Sequence, residues 1–267
     1  MLKKLNKKVL LVIIVLLPLN LILWNLLFIK KTFTFITDLS NGLINPTFIA
    51  GLFSLFLYLF FGVVIGGLRI KDFLLDKEKI KKGLLMIFVL WGIGNLLGAF
   101  LSFFQTGNLV FVDKITYHIG NFMGQLFGNA LAEEVLFRGI LLTQFYLILR
   151  TKFKNKKSVL WALITSQLIF SLNHIPNRII LEQTEYLIFD LIKLFVVGVI
   201  ISLMFMKTQN LVYVVSVHSL LNSPLCLFKA DQSFIILAIL VLSIIITIFW
   251  YKIGMKKEKN WFKEGLV

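Results

Sequence analysis

The stretch NFMGQLFGNALAEEVLFRGI, residues 121–140, places two adjacent glutamates and an arginine inside an otherwise apolar run. A charged side chain at the centre of a lipid bilayer costs about 2.5–3.5 kcal/mol on insertion scales. The three charges Glu133, Glu134 and Arg138 lie within six residues of each other. They therefore require either mutual neutralisation or a function.

Helical spacing arranges the polar and the small residues of this stretch into two neighbouring stripes. Residues that are four apart in sequence lie on the same face of an α-helix. The polar stripe consists of Asn121, Gln125, Asn129 and Glu133. The small-residue stripe, which lets another helix approach closely, consists of Gly120, Gly124, Gly128 and Ala132. The stretch is thus predicted to be a helix with one hydrogen-bonding face and one closely packed face.

The two glutamates are predicted to differ in their partners. Glu134 and Arg138 are four residues apart, which predicts an intrahelical ion pair. Glu133 points about 100° away from Glu134 and is left without an obvious local partner. The alternative, in which all three charges form a structural ion cluster, stays open on this helix alone.

The composition indicates a membrane protein. Of the 267 residues, 58% are hydrophobic, which is more apolar surface than a soluble domain of this length can bury. A membrane span needs about 20 apolar residues. The predicted fold class is therefore all-α, a polytopic transmembrane helix bundle of about eight spans. The predicted spans are roughly 9–29, 45–70, 83–104, 121–149, 159–177, 187–206, 210–228 and 234–253.

The distribution of basic residues predicts how the chain is oriented. The net charge is +15, and lysines and arginines cluster at the N-terminus, in 69–82, in 150–157 and in the C-terminal tail. The positive-inside rule then predicts that both termini are cytoplasmic. The Lys-, Ile- and Phe-rich composition favours a bacterial cell membrane. No soluble module is left to bind nucleic acid, so membrane lipid is the expected surrounding and nucleic acid is not an expected partner. The single cysteine, Cys226, excludes an intrachain disulfide.

The N-terminal apolar run resembles a signal peptide but is expected to stay in the protein. It comes after a basic segment, as in a signal peptide, yet it is about twice the usual length and has no small-x-small cleavage site. We therefore interpret it as a retained first transmembrane helix.

Two of the three histidines fall in apolar spans, and each adds a polar group to a different helix. His174 lies two residues before Pro176, which is predicted to end its helix. His218 and Asn222 are four residues apart and are predicted to project together. A single intramembrane histidine is more often a packing residue, but two of them together with an unpaired glutamate favour a functional site.

These side chains support two kinds of hydrolytic chemistry. Glu133 and His174 could deprotonate a water molecule, and His218 with Asn222 could donate hydrogen bonds to the oxyanion that forms when the water attacks an amide. Alternatively, Glu133, His174 and His218 could bind Zn²⁺ and leave one position open for water. The H-E-x-x-H signature is absent. The sequence does not choose between the two mechanisms.

Three short motifs occur in order in separate predicted spans. They are E-E-x-x-x-R at Glu133, Glu134 and Arg138, F-x-x-x-H at Phe170 and His174, and H-x-x-x-N at His218 and Asn222. Together they resemble the CPBP family of intramembrane proteases, which comprises CAAX-processing proteases and bacteriocin-processing (Abi) enzymes. The resemblance covers about residues 120–225. It implies a membrane-embedded endopeptidase that acts either with zinc or through a metal-independent glutamate mechanism.

The resemblance also implies a role for each motif residue and a division of the chain. Glu133 and His174 would activate water, Glu134 and Arg138 would support the site, and His218 and Asn222 would stabilise the oxyanion or complete a metal site. The N-terminal transmembrane helices would occupy 1–110 and the protease core 111–230. The last helix and a basic cytoplasmic tail would occupy 231–267.

The implied substrate is a membrane-associated peptide or protein, cleaved in peptide maturation or in bacteriocin self-immunity. The predicted topology places His174 in the outer half of the membrane, which favours exported or membrane-inserted peptides. Two alternatives are a non-catalytic bacteriocin-immunity or partner-binding membrane protein, and a carrier that relays protons through the buried Glu and His. The sequence does not indicate an oligomeric state.

Overall fold

The computed structural model describes residues 3–252, and helices form nearly all of their regular structure. The basic tail predicted after the last helix lies almost wholly outside the described residues. The helices are α1 (Lys7–Ile29), α2 (Thr34–Leu39), α3 (Pro46–Leu59), α4 (Lys77–Thr106), α5 (Ile115–Gly124), α6 (Ala130–Glu134), α7 (Thr143–Leu149), α8 (Asn155–Leu172), α9 (Ile175–Ile180), α10 (Leu187–Thr208), α11 (Leu211–Asn222) and α12 (Gln232–Ile248). A 3₁₀ turn, Ile70–Phe73, precedes α4, and π-helical segments occupy Phe60–Ile65, Gln125–Asn129 and Val135–Leu142.

The helices account for eight apolar segments, as predicted. Within residues 3–252, five are long and apolar enough to cross a membrane, namely Lys7–Ile29, Pro46–Ile65, Ile70–Thr106, Asn155–Ile180 and Leu187–Thr208. Residues 115–149 form a further continuous helical rod, which we call the site helix, and α11 and α12 are shorter apolar helices. The prediction of an all-α polytopic bundle of about eight spans is confirmed.

Helix α11 is the innermost helix of the bundle and packs against α4, α6, α10 and α12. Its side chains from Tyr213 to Leu220 are all buried. The helix ends at Asn222, earlier than the predicted 210–228, because Ser223 adopts an extended backbone before Pro224. Burial on every side explains why this short helix can carry polar groups away from lipid.

The small-residue stripe of the site helix is closely packed, as its spacing predicted. Positions 120, 124 and 128 face the loop before α3 and the first turns of α3. A Cβ atom on Gly120 would overlap the carbonyl of Gly42, and one on Gly51 would overlap the backbone of Gly128. The two helices therefore touch backbone to backbone, which requires residues without a side chain at the crossing.

We expect Gly51→Ala to destabilise the protein, because its methyl group has no space beside Gly128. Overpacking of this kind costs about 1–3 kcal/mol. Gly92→Ala in α4 is a matched control, since a Cβ atom there meets nothing within 4 Å. That control should be neutral or stabilise by up to about 1 kcal/mol, because alanine is the better helix former. Thermal unfolding in detergent checks both, and equal midpoints for the two variants would contradict the packing argument.

The π-helical segment Gln125–Asn129 interrupts the regular spacing on which the predicted polar stripe depended. A π turn contains an extra residue and rotates the next part of the helix about its axis. As a result the stripe is divided: Asn121 accepts from Asn45 before α3, at 2.9 Å, whereas Gln125 accepts from Asn222 of α11, at 3.0 Å. The expectation of one continuous polar face was therefore wrong, although the stripe still ends at Glu133.

The basic clusters at the N-terminus, in 69–82 and in 150–157 meet on one face of the bundle, which we call the basic face. Lys3 donates to the carbonyl of Gly67 at 2.7 Å, and Gln144 donates to the carbonyl of Lys3 at 2.9 Å. On the same side Asn210 donates to the carbonyl of Lys79 at 2.9 Å. These contacts bring together four segments: the start of α1, the loop after α3, the end of the site helix and the α10–α11 turn. The clustered lysines and arginines lie in or next to these segments.

The opposite face is joined by contacts between other loops. An isolated antiparallel bridge joins Phe111 to Phe228. Lys229 forms an ion pair with Asp113 at 2.7 Å, and its hydrogen bond and charge lower the pKa of the Asp113 carboxyl below its ordinary value. Several exposed acidic residues lie in the loops and helix ends of this face, namely Asp38, Asp113, Glu182, Glu185 and Asp231.

The end of the fifth predicted span differs from the expectation for Pro176. Helix α8 ends at Leu172, and Pro176 lies in the first turn of the short helix α9, a position that proline tolerates. Helix α9 carries Arg178 to the start of α10, where it pairs with Asp190 at 3.1 Å.

Candidate active site

Glu134 and Arg138 form an ion pair in the centre of the bundle, as predicted. Their nitrogen and oxygen atoms are 2.8 Å apart and both side chains have no exposed surface. Arg138 also donates to the hydroxyl of Ser202 at 3.1 Å and to the carbonyl of Gly198 at 2.9 Å, both in α10. Its guanidinium lies over the ring of Phe170, 5.2 Å from the centroid. Arg138 therefore fixes the site helix to α8 and α10 and neutralises Glu134.

His218 joins the two glutamates. Its Nδ1 is 2.7 Å from Glu134 Oε1, and its Nε2 is 3.6 Å from Glu133 Oε2. Glu134 Oε1 also accepts from Arg138 Nη1, so it is the acceptor of a hydrogen bond from Nδ1, and this contact sets the orientation of the ring. The other oxygen, Glu134 Oε2, is buried and has no hydrogen-bond partner within residues 3–252.

Glu133 lies between this buried cluster and a cavity. Asn129 donates to Glu133 Oε1 at 3.1 Å, and 20% of the Glu133 side chain is exposed. The expectation that Glu133 has no local partner was therefore wrong. Its second oxygen, Oε2, faces His218 and is not bonded to Asn129, which leaves a carboxylate oxygen for chemistry.

His174 is positioned by the end of α8. Its Nδ1 lies 2.8 Å from the carbonyl oxygen of Phe170. A carbonyl can only accept, so Nδ1 carries the proton and Nε2 is left with a lone pair. The ring of Phe170 contacts His174 edge to face at 4.9 Å and also packs against Phe137 at 4.9 Å. The aromatic residue of the F-x-x-x-H motif thus fills the space between the two parts of the site.

Glu133 and His174 line the same cavity, which has a volume of about 250 Å³. Much of its wall comes from α1 and α3, outside the sequence motifs. The lining residues from these helices are Leu17, Asn20, Leu21, Trp24, Asn25, Phe28, Thr47, Ala50, Ser54 and Tyr58. The remaining ones are Asn129, Ala132, Glu133, Leu136, Phe137, Asn173, His174 and Asn177.

Sequence reasoning missed the polar residues of this wall. Asn20 of α1 donates to Ser54 at 2.8 Å and to the Tyr58 hydroxyl at 3.3 Å, both in α3. Asn177 donates to Asn25 at 2.6 Å. The signal that could have identified them was polar side chains inside otherwise apolar spans, including Ser54 and Tyr58 at helical spacing.

Three polar atoms in the cavity wall are buried and have no hydrogen-bond partner in the described part of the chain. They are Asn20 Oδ1, Trp24 Nε1 and Asn173 Oδ1. Buried polar groups are rarely left without a partner, so such atoms require an explanation. Two acceptors and one donor therefore lie in the residues that surround the cavity, which gives it a partly polar wall.

Asn222 is the one predicted site residue that lies apart from the others. It is exposed, and it donates to Gln125 at 3.0 Å. Neither Asn222 nor His218 belongs to the wall of the cavity that Glu133 and His174 line. The structure thus connects Glu133, Glu134, Arg138 and His218, places His174 beside the same cavity, and leaves the predicted role of Asn222 in the oxyanion site as a prediction.

The predicted zinc ligands do not meet at a point. Across the described residues, no group of three or more His, Cys, Asp or Glu side chains is arranged to hold a metal ion. Glu133 and His218 approach each other, but His218 uses Nδ1 for Glu134. The side chains as they stand therefore do not fit a three-ligand zinc centre.

Comparison with known proteins identifies the part of the chain that holds these residues. Residues 115–224 match a family model described as type II CAAX prenyl endopeptidase, Rce1-like. The match begins with α5 and ends just after α11, and it includes all six predicted site residues. No curated protein and no solved structure matches the chain. The resemblance inferred from the three motifs is confirmed.

Proposed function

Residues 115–224 are an Rce1-like, CAAX-protease-like segment, and from this premise we propose that the chain is an intramembrane endopeptidase. Its substrate would be a membrane-associated peptide or protein in a bacterial cell membrane. The observation that carries the proposal is the cavity on which Glu133 and His174 converge, with a fully buried ion pair behind it. A half-buried carboxylate next to a cavity and a histidine with a free ring nitrogen supply the groups that water activation needs.

In the proposed mechanism Glu133 is the general base. A water molecule in the cavity donates one hydrogen bond to Glu133 Oε2 and the other to Nε2 of His174. Glu133 takes the proton while the water oxygen attacks the peptide carbonyl carbon, which gives a tetrahedral oxyanion. Protonated Glu133 then returns the proton to the leaving amide nitrogen, so that the products are a carboxylic acid and an amine and the enzyme is restored.

The groups behind Glu133 would hold it in position. Glu134 is neutralised by Arg138 and orients His218, and His218 Nε2 lies 3.6 Å from Glu133 Oε2. Catalytic groups that are held by packing and by further hydrogen bonds need little reorganisation in the transition state. We assign Glu134, Arg138 and His218 to positioning in this sense.

Two sources of oxyanion stabilisation are consistent with the contacts. The first keeps the sequence assignment to His218 and Asn222, and it requires Asn222 to leave Gln125. The second uses Tyr58, whose hydroxyl lines the cavity and accepts a hydrogen bond from Asn20, so that its own proton is free to donate. Use of Tyr58 keeps the hydrogen bond from Asn20, whereas use of Asn222 breaks its bond to Gln125, and we favour Tyr58 for that reason.

We propose that cleavage does not require a metal, since the candidate ligands do not converge. Incubation of the purified protein with a zinc chelator, and subsequent removal of the chelator, is therefore expected to leave the cleavage rate unchanged. The rate can be measured on any peptide found to be cut, with a known zinc protease treated in parallel. Loss of activity that returns on addition of Zn²⁺ would contradict the metal-independent mechanism and support the zinc alternative.

The main alternative is a non-catalytic bacteriocin-immunity or partner-binding membrane protein, and a proton-relaying carrier is a second. Comparison of cells that carry wild type or Glu133→Gln, at matched membrane levels, separates these functions. New peptide termini found only with wild type support the endopeptidase. The same comparison would show whether the substrates belong to peptide maturation or to bacteriocin self-immunity.

A further inference from the structure

We propose that the active-site cavity admits its peptide from the side of the membrane opposite the basic face, through an entrance between α1 and α3. The substrates would then be exported peptides or the extracytoplasmic segments of membrane proteins. This inference rests on the proposed function and adds the route and the class of substrate.

The cavity lies in the half of the bundle that is remote from the basic face. Helix α1 starts on the basic face and ends on the opposite one, and it lines the cavity only with residues 17–28. Helix α3 runs the other way and lines it from Thr47 to Tyr58. On the far side Asn177 of the short helix α9 donates a hydrogen bond to Asn25 and completes the rim.

Toward the basic face the cavity is closed by packed apolar side chains. Leu17 and Leu136 form its floor, and each has 1% of its surface exposed. One helical turn further, Ile13 of α1 and Ile140 of the site helix have no exposed surface. Interiors packed to this density leave no path for a peptide, so the cavity does not communicate with the basic face along this wall.

Toward the opposite face a second recess adjoins the cavity. It has a volume of about 280 Å³, and it shares Phe28 and Thr47 with the cavity wall. Its other lining residues are mostly polar and include Lys31, Thr34, Asn45 and Asn121. A polar recess between the end of α1 and the start of α3 gives a peptide backbone hydrogen-bonding groups before it reaches Glu133.

The wall of the cavity matches the chemistry of a peptide backbone. Among residues 3–252, the acceptors Asn20 Oδ1 and Asn173 Oδ1 have no hydrogen-bond partner, and neither has the donor Trp24 Nε1. These atoms lie behind the cavity surface, and a peptide, which carries both N–H and C=O groups, could satisfy such a mixed set after rotation of the side chains, whereas an alkyl chain could satisfy neither kind. Charge then identifies the side of the membrane, because clustered lysines and arginines mark the cytoplasmic ends of spans.

The test uses cysteine labelling from each side of the membrane. Thr47→Cys places a thiol at the junction of the two recesses, and Lys156→Cys places one at an exposed position in the first turn of α8, on the basic face. A membrane-impermeant sulfonated maleimide is applied to intact cells and to inverted membrane vesicles. The unsubstituted chain is the background control, because its only cysteine, Cys226, is buried.

We expect Thr47→Cys to be labelled in intact cells and Lys156→Cys only in inverted vesicles. Labelling of Thr47→Cys only in inverted vesicles, or from neither side, would overturn the proposed route. Labelling needs no catalysis, so the combined Glu133→Gln and Thr47→Cys variant should be labelled equally. The labelling experiment can therefore contradict the proposed route without contradicting the proposed endopeptidase activity. The cleavage experiment can likewise contradict the activity without contradicting the route.

A second readout tests whether substrates use this entrance. A bulky polyethylene-glycol maleimide attached to Thr47→Cys should lower the cleavage rate at least tenfold relative to the same variant without the reagent. New termini should map to segments on the extracytoplasmic side. Unchanged cleavage after complete modification, or termini confined to cytoplasmic tails, would overturn the proposal.

Discussion

Glu133→Gln is expected to lower the rate of peptide-bond cleavage by about 10²- to 10⁴-fold, the range in which general base catalysis contributes. Glutamine keeps the shape of the side chain and an oxygen that accepts from Asn129, but it cannot take a proton from water. The fold should be retained, because the buried charges of Glu134 and Arg138 are untouched. The measurement is the rate at which new peptide termini form, detected by mass spectrometry at matched membrane levels of the two proteins.

Glu185→Gln provides the matched control for this substitution. It makes the same chemical change at an exposed position in the loop before α10, and it should leave cleavage at the wild-type rate. If Glu133→Gln also cuts at the wild-type rate, Glu133 is not the base and the proposed mechanism fails. If neither wild type nor variant produces new termini, and both retain the same phenotype, the function is that of a non-catalytic immunity or binding protein.

The sequence predicted those features of the site that depend on local spacing. The pairing of Glu134 with Arg138 is expected of residues four apart on a helix, and the close contact of the site helix with α3 is expected from its glycines. Burial of a polar or charged group inside an apolar span is costly, so the presence of such a group in the sequence indicates a functional or structural role. The three motifs were found in this way, and the family match to residues 115–224 agrees with them.

The remaining features depend on contacts between distant segments, and the sequence could not show them. The π turns at Gln125–Asn129 and Val135–Leu142 change the register of the site helix without a proline or another local signal. Asp190 has Lys193 three residues away on the same helix, but α9 brings Arg178 to it instead. The contribution of α1 and α3 to the cavity likewise requires knowledge of which helices are neighbours.

Arg138→Met is expected to lower the free energy of unfolding by about 3–5 kcal/mol, the cost of leaving one partner of a buried ion pair without the other. Methionine fills much of the same volume, but Glu134 then keeps only the hydrogen bond from His218 Nδ1, and Gly198 loses its donor. Solvent water does not reach these groups to replace the lost bonds, because neither side chain of the pair has exposed surface. Reversible unfolding in mixed detergent micelles measures the change.

Lys82→Met is the matched control, since Lys82 pairs with Glu78 at the same spacing of four residues, at 3.3 Å, near the surface of α4. Exposed pairs contribute about 0–1 kcal/mol, so this variant should unfold almost as wild type does. The double variant Glu134→Gln with Arg138→Met should recover part of the loss, because no unpaired charge is then left in the interior. Equal stability of Arg138→Met and Lys82→Met would contradict the stabilising role of Arg138 in the buried ion pair. A double variant less stable than Arg138→Met would show that Glu134 stabilises the bundle mainly through His218.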